Sequence, residues 1–248
     1  MKGNGPVSDA LFWPEVRALL EKRRGRLHAY ESLDAKRTAL IVIDMQRAFV
    51  DDGTPSFVGA ARAIIPNINR LAEAVRRTGG SVAWSRATFT SEPDGGWSTF
   101  FGHAVSERVG RDVIASLQDG AAGHGLTHGL DIRDADHIFN KFRFSAFTRG
   151  SSDIEAWLRR RGADTVLIAG TLTHVCCESS ARDAMQLGFK TVMVSDANAS
   201  RVEANHIATL NAFIQSFGDV RSADQTISLL EASVGARAAE QPATAAAK

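Results

Sequence analysis

Thr38-Ala-Leu-Ile-Val-Ile-Asp44 decides the fold: six residues without a break in apolar or β-branched character, closed by an aspartate. A strand exposed on one face would alternate apolar with polar residues, whereas this run is apolar at consecutive positions and so reads as buried on both faces. Such strands belong to parallel sheets covered by helices. The same signature returns at Thr165-Val-Leu-Ile-Ala-Gly170, and shorter runs at 81–85, 137–141, 190–195 and 220–222 read as further strands. Between them lie helical patterns: 60–77, where Ile64, Ile68, Leu71 and Val75 share one face, then 152–161, 179–187 and 202–217. Strands alternating with helices make βαβ units, so the expected fold is α/β: three layers, with a mainly parallel sheet between helices.

Working outward, residues 1–36 read as a helical leader, with Leu11, Phe12, Val16, Leu19 and Leu20 at helical spacing and Pro14 in the first turn. Residues 37–233 read as the main domain. Residues 234–248, rich in Ala with Gln, Pro and Lys, are expected to be a disordered tail. From Arg86 to Asp136 the periodicity weakens, with eight glycines between Gly95 and Gly129, and loops walling a pocket are expected there.

Composition excludes several classes. The 248 residues carry 29 Lys and Arg against 28 Asp and Glu, a net charge of +1, so the basic excess of a nucleic-acid binder is missing. No apolar run reaches the ~18–20 residues of a membrane span, and Met-Lys-Gly-Asn-Gly-Pro at the start lacks a signal-peptide core. The two cysteines are adjacent, Cys176 and Cys177, which rules out a disulfide framework. A soluble, cytoplasmic protein is the expectation. His124 and His128 are four residues apart but lie in a Gly-rich stretch, and no histidine spacing suggests a metal site. Neither metal nor cofactor is expected.

In a parallel α/β sheet, ligands bind beyond the carboxyl ends of the strands. Three chemically capable residues fall there: Asp44 after the first strand, Lys141 at the end of the third, and Cys176 in the turn Gly170-Thr-Leu-Thr-His-Val-Cys176-Cys177. A cysteine in the first turn of the following helix meets unpaired N–H groups and the positive end of the dipole, which favour the thiolate. Taken alone, Cys176 fits a buried structural thiol equally well. An aspartate directly after Leu-Ile-Val-Ile is costly to bury without a partner. A carboxylate, an ammonium and a thiol converging on one sheet edge can move a proton and support a nucleophile.

The blocks Ile-Val-Ile-Asp44-Met-Gln, Lys141-x-Arg-x-Ser-Ala-Phe and Gly170-x-x-Thr173-x-x-Cys176, followed by Ser-Ala-Arg-Asp-Ala, resemble the isochorismatase-like cysteine hydrolase superfamily in content and order, over about residues 38–222. The resemblance implies a catalytic triad on Asp44, Lys141 and Cys176. It further implies a cis peptide before Leu172 and an oxyanion hole formed by the N–H groups of Leu172 and Cys176. Within the superfamily the chain is most similar to the N-carbamoylsarcosine amidohydrolase group. That group shares a helical leader, the lysine block, an arginine matching Arg201, and Phe-Gly-Asp-Val, here at 217–220. By this resemblance Arg201 is a candidate anchor for a substrate carboxylate, although a surface helix-flanking arginine would read the same. Ser85-Arg-Ala-Thr-Phe lacks the Asp-x-His metal motif of nicotinamidases, and Cys176 stands where true isochorismatases have a small residue.

Phe49 and Trp97 are candidate pocket walls, Phe142 and Phe144 read as core residues beside the lysine, and Cys177 reads as packing. The expected activity is hydrolysis of a C–N amide or ureido bond in a small, carboxylate-bearing molecule, through a thioester. Hydrolysis of another bond, as in isochorismatase, and non-catalytic metabolite binding are the alternatives. Family members imply a homodimer or homotetramer.

Overall fold

The computed structural model describes residues 11–92 and 95–240, and side chains as far as residue 235. Six strands form one sheet: β1 (Thr38–Ile43), β2 (Ser81–Ala87), β3 (His137–Lys141), β4 (Thr165–Thr171), β5 (Lys190–Ala199) and β6 (Asp219–Arg221). All pairings are parallel, in the order β3-β2-β1-β4-β5-β6. The order reverses between β1 and β4, which opens a crevice at their carboxyl ends.

The central strands β1 and β4 are buried on both faces, as their unbroken apolar runs require. Along β1, Leu40 and Val42 join one core cluster while Ala39, Ile41 and Ile43 join the other, so neighbours divide strictly between faces. Leu40, Ile41, Val42 and Ile43 have no exposed surface, and each contributes about 1.5–3 kcal/mol of burial.

One face is covered by α1 (Pro14–Arg24), α6 (Ile154–Arg160), α7 (Glu178–Gln186) and α8 (Glu203–Ser216), through Leu20, Ile154, Ala181 and Phe213. The leader helix α1 therefore packs on the chain's own core through Phe12, Val16 and Leu20; residues 1–10 of the leader lie outside the described residues. The other face is covered by α3 (Ile65–Arg77), α5 (Glu107–Leu117) and α9 (Ala223–Glu240). Two short helices, α2 (Arg47–Val50) and α4 (Ser98–His103), complete the order.

Three expectations need correction. The helix expected over 60–77 begins at Ile65 after a 3-10 turn at Arg62–Ile64. Pro66 explains the late start, because proline lacks an N–H and fits only the first turn. The 86–136 stretch is not all loop: it holds α4 and α5, and α5 is opened by Ser106, whose hydroxyl accepts from Val109 N–H. Finally, the tail expected from residue 234 is helical as far as Glu240, because α9 runs through that boundary; residues 241–248 lie outside the described residues. A capping box starts α9: Gln225 N–H donates to Ser222 Oγ, and Ser222 N–H to Gln225 Oε1.

Candidate active site

At the switch point the backbone of β1 leaves the sheet through Asp44, whose φ of 49° lies in the left-handed region. Gly170, with φ 116°, pairs across the sheet with the preceding Ile43, and a Cβ there would stand 2.0 Å from the Ile43 carbonyl oxygen. Only glycine permits β4 to approach β1 so closely at this height. Thr171 Oγ1 then donates to the Asp44 carbonyl at 3.0 Å, tying the two strand ends together.

The Asp44 carboxylate is wholly buried. Its Oδ1 accepts from Ser85 Oγ at 2.8 Å, and Asp44 N–H donates to the same hydroxyl at 3.1 Å. Its Oδ2 lies 2.8 Å from Lys141 Nζ as an ion pair and makes no aligned hydrogen bond. Lys141 is 1% exposed; it reaches across β2 from the far edge of the sheet and also donates to the Arg143 carbonyl at 3.0 Å. Burial opposes its charge, but Asp44 and the neighbouring Cys176 outweigh burial and hold the ammonium above its ordinary pKa. Gln46 locks this region: it accepts from Ala87 N–H at 2.7 Å and donates to the carbonyls of Ala87 and His124.

Cys176 sits in a π-helical turn, Thr173–Cys177, that follows the cis Thr171–Leu172 peptide. The N–H groups of Val175 and Cys177 donate to the Leu172 carbonyl, so this turn is held by its own backbone. The helix α7 continues directly from this turn at Glu178, so Cys176 lies in the opening turn of one helical segment. The charge state of the resting thiol differs from expectation. Burial pushes the Cys176 thiol up to about 12; Lys141 pulls it down and Asp44 pushes it up. Desolvation is the largest of these effects, and it favours the protonated sulfur. Cys177 points into the core among the helices and is fully buried.

A cavity of about 430 Å³ opens onto this group. Lys141, Cys176, Leu172, Phe49, Trp97 and Arg201 all line it, so every site residue named from the sequence reaches one place except Asp44, which lies behind the surface. Arg201 donates to the Ser56 and Phe57 carbonyls at 2.8 and 3.0 Å through Nη2 and Nε, so the 56–57 backbone engages one edge of its guanidinium. Sequence reading missed Ser85, Arg143 and most of the aromatic wall. Phe144 lines the cavity rather than the core, 4.6 Å from Trp97 edge to face, while Phe142 is partly exposed. Arg143 stacks over Trp97 at 5.2 Å. Ser85 had a visible signal, a polar residue at the end of an apolar strand; the wall had none beyond aromatic content. Among the described residues no three His, Cys, Asp or Glu side chains converge to hold a metal, and no helix is long and apolar enough to cross a membrane.

A doubly wound parallel sheet that sets a thiol beside a buried lysine–aspartate pair, at its switch point, defines the class as a cysteine hydrolase fold. The chain belongs to the isochorismatase family: the family model for the isochorismatase domain matches residues 38–225. It is 31% identical over 202 residues to the uncharacterized isochorismatase family protein YecD of Escherichia coli O157:H7, covering 80% of this chain and 98% of that one. It is 30% identical over 178 residues to the ureidoacrylate amidohydrolase RutB of Variovorax paradoxus, covering 67% and 70%. Its fold matches a cysteine hydrolase structure from Pseudomonas syringae pv. phaseolicola with a TM-score of 0.74 at 25% identity, over 84% and 98% of the two chains.

Proposed function

We propose that the protein is an amidohydrolase that cleaves a linear C–N amide or ureido bond, as in the N-carbamoylsarcosine amidohydrolase group, with Cys176 as nucleophile. The observation that carries this reading is the buried Asp44–Lys141 pair, 2.8 Å apart, beside a buried thiol at the cavity floor. A pair that only stabilised the fold would need no thiol beside it and no cavity in front of it.

The resting thiol is protonated, so attack needs a base, and Asp44 is the carboxylate within the cluster. Its Oδ2, 2.8 Å from Lys141 Nζ, takes the thiol proton as Sγ attacks the carbonyl carbon. Lys141 then faces the negative charge that the thiolate carries into the transition state. The N–H groups of Leu172 and Cys176 receive the oxyanion. The C–N bond breaks as Asp44 returns the proton to the leaving nitrogen, giving a thioester and an amine, or ammonia from a primary amide. Water, deprotonated by Asp44, hydrolyses the thioester and restores the thiol. Arg201 keeps one guanidinium edge for a substrate carboxylate at the mouth, the other being spent on the 56–57 carbonyls.

Ammonia release from a panel of primary amides and ureides tests the reading. Cys176→Ala is expected to abolish turnover while the protein stays folded, and Cys177→Ala to retain it. Full turnover in Cys176→Ala would overturn the assignment.

A further inference from the structure

The cavity in front of Cys176 is more apolar than cleavage of a short polar amide requires. Between β2 and β3 the chain inserts residues 88–136, and α4 and α5 of that insertion build the cavity's far wall. Phe89 and Phe101 meet edge to face at 4.8 Å, and Phe100 joins Phe101 at 5.0 Å and Phe144 at 5.1 Å, making one continuous aromatic surface. Val109 and Val113 of α5 extend it towards solvent. No Asp, Glu, Asn or Gln lines the cavity among the described residues; its charges are Lys141, Arg143 and Arg201. A polar substrate of a few atoms would leave most of this wall against water. An apolar group would remove that surface from water at a gain proportional to the area covered.

We infer that the substrate's amide or ureide is attached to an apolar group of at least phenyl size, seated against the Phe89–Phe101 wall while the carbonyl lies at Cys176. This rests on the amidohydrolase reading above and specifies its substrate class. The insertion, rather than the strand ends, then sets specificity.

The test uses straight-chain primary amides from acetamide to hexanamide, 3-phenylpropanamide, and 4-hydroxybutanamide as an uncharged polar compound of similar length. Two readouts are taken on the full chain. One is ammonia release; the other is protection of Cys176 from iodoacetamide, located by fragment-ion mass spectrometry to separate it from Cys177. We expect kcat/KM to rise about fourfold for each added methylene until the wall is covered, with protection constants improving in parallel. In Val109→Asp, on the half-exposed rim where a charge does not threaten the fold, the slope is expected to flatten. A flat series, or highest kcat/KM for the polar compound, overturns the apolar assignment and leaves the amidohydrolase reading standing. Size-dependent protection without ammonia from any amide removes primary amides from the amidohydrolase reading and keeps the apolar site. A slope unchanged in Val109→Asp removes the α5 wall from the argument.

Discussion

Replacing Lys141 by methionine removes the ammonium 2.8 Å from Asp44 Oδ2 and keeps an unbranched side chain of similar reach. Both partners are buried, at 1% and 0% exposure, so solvent compensates little for the lost cation. The Asp44 carboxylate then retains only the Ser85 hydroxyl as a strong partner. Breaking a buried pair from one side costs about 3–5 kcal/mol, because the remaining charge stays buried and uncompensated. For a domain of this size each kcal/mol shifts Tm by about 2–4 °C, so thermal unfolding followed by circular dichroism at pH 7 should show a drop of about 6–20 °C. The double variant Asp44→Asn, Lys141→Met leaves no unpaired charge and should recover at least half of that loss, a coupling that distant sites do not show. Ammonia release should be lost in both variants, which separates chemistry from stability. A drop below about 2 °C in Lys141→Met, or a double variant no more stable than the single one, would refute the buried-pair reasoning.

Three further outcomes are expected. The resting Cys176 thiol, lifted from 9.0 to about 12, has about a thousandfold less thiolate at pH 8 than a free thiol; with the usual gain in intrinsic nucleophilicity, iodoacetamide should label it about 30–60-fold more slowly. Because the folded state holds this proton more tightly, the associated stability is complete below pH 9.0 and is lost as pH rises towards about 12; a labelling midpoint below pH 8 would contradict this. Asp219, wholly buried, accepts from His28 Nδ1, Arg221 Nε and the N–H groups of Tyr30 and Val220. Burial opposes its charge, but these donors hold its pKa below the usual value of 3.8, so its stabilisation is present above that pH and is lost as pH falls through the folded value. Asp219→Asn should cost about 3 kcal/mol and speed hydrogen exchange at the Tyr30 amide, and an unchanged Tm would count against it. Gly170→Ala places a Cβ 2.0 Å from a carbonyl oxygen at a φ of 116°; it should lose more than about 4 kcal/mol and accumulate as insoluble protein, and a soluble variant with wild-type Tm would show that β4 can withdraw from β1.

The helices missed in the sequence share a cause. Ser106 caps α5 and Ser222 with Gln225 caps α9, so start signals were present. In α5 the stripe Val109, Val113, Ile114 and Leu117 stands at helical spacing, with Ile114 and Leu117 buried, but it lies within a glycine-rich stretch that reads as loop. In α9 the small, Ala-rich surface carries little hydrophobic contrast, and its packing on α3 through Leu230 supplies what periodicity does not announce.

The sequence by itself determined the sheet, because burial on both faces demands unbroken apolar runs that no other local structure needs. It also placed Asp44, Lys141 and Cys176 at the carboxyl ends of strands, since Asp44 directly follows one strand, Lys141 closes another and Cys176 stands in the turn after a third. Tertiary structure alone decided what surrounds them. The reach of Lys141 across β2 to Asp44, the Ser85 hydroxyl beneath the carboxylate, and the Arg201 contacts to residues 56 and 57 join positions 41 to 145 residues apart in the chain. Desolvation belongs to the same category: burial raises the Cys176 thiol, and no local feature of the chain announces it. Charge, burial and cavity shape depend on everything within several ångströms, and that neighbourhood exists only after the chain has folded.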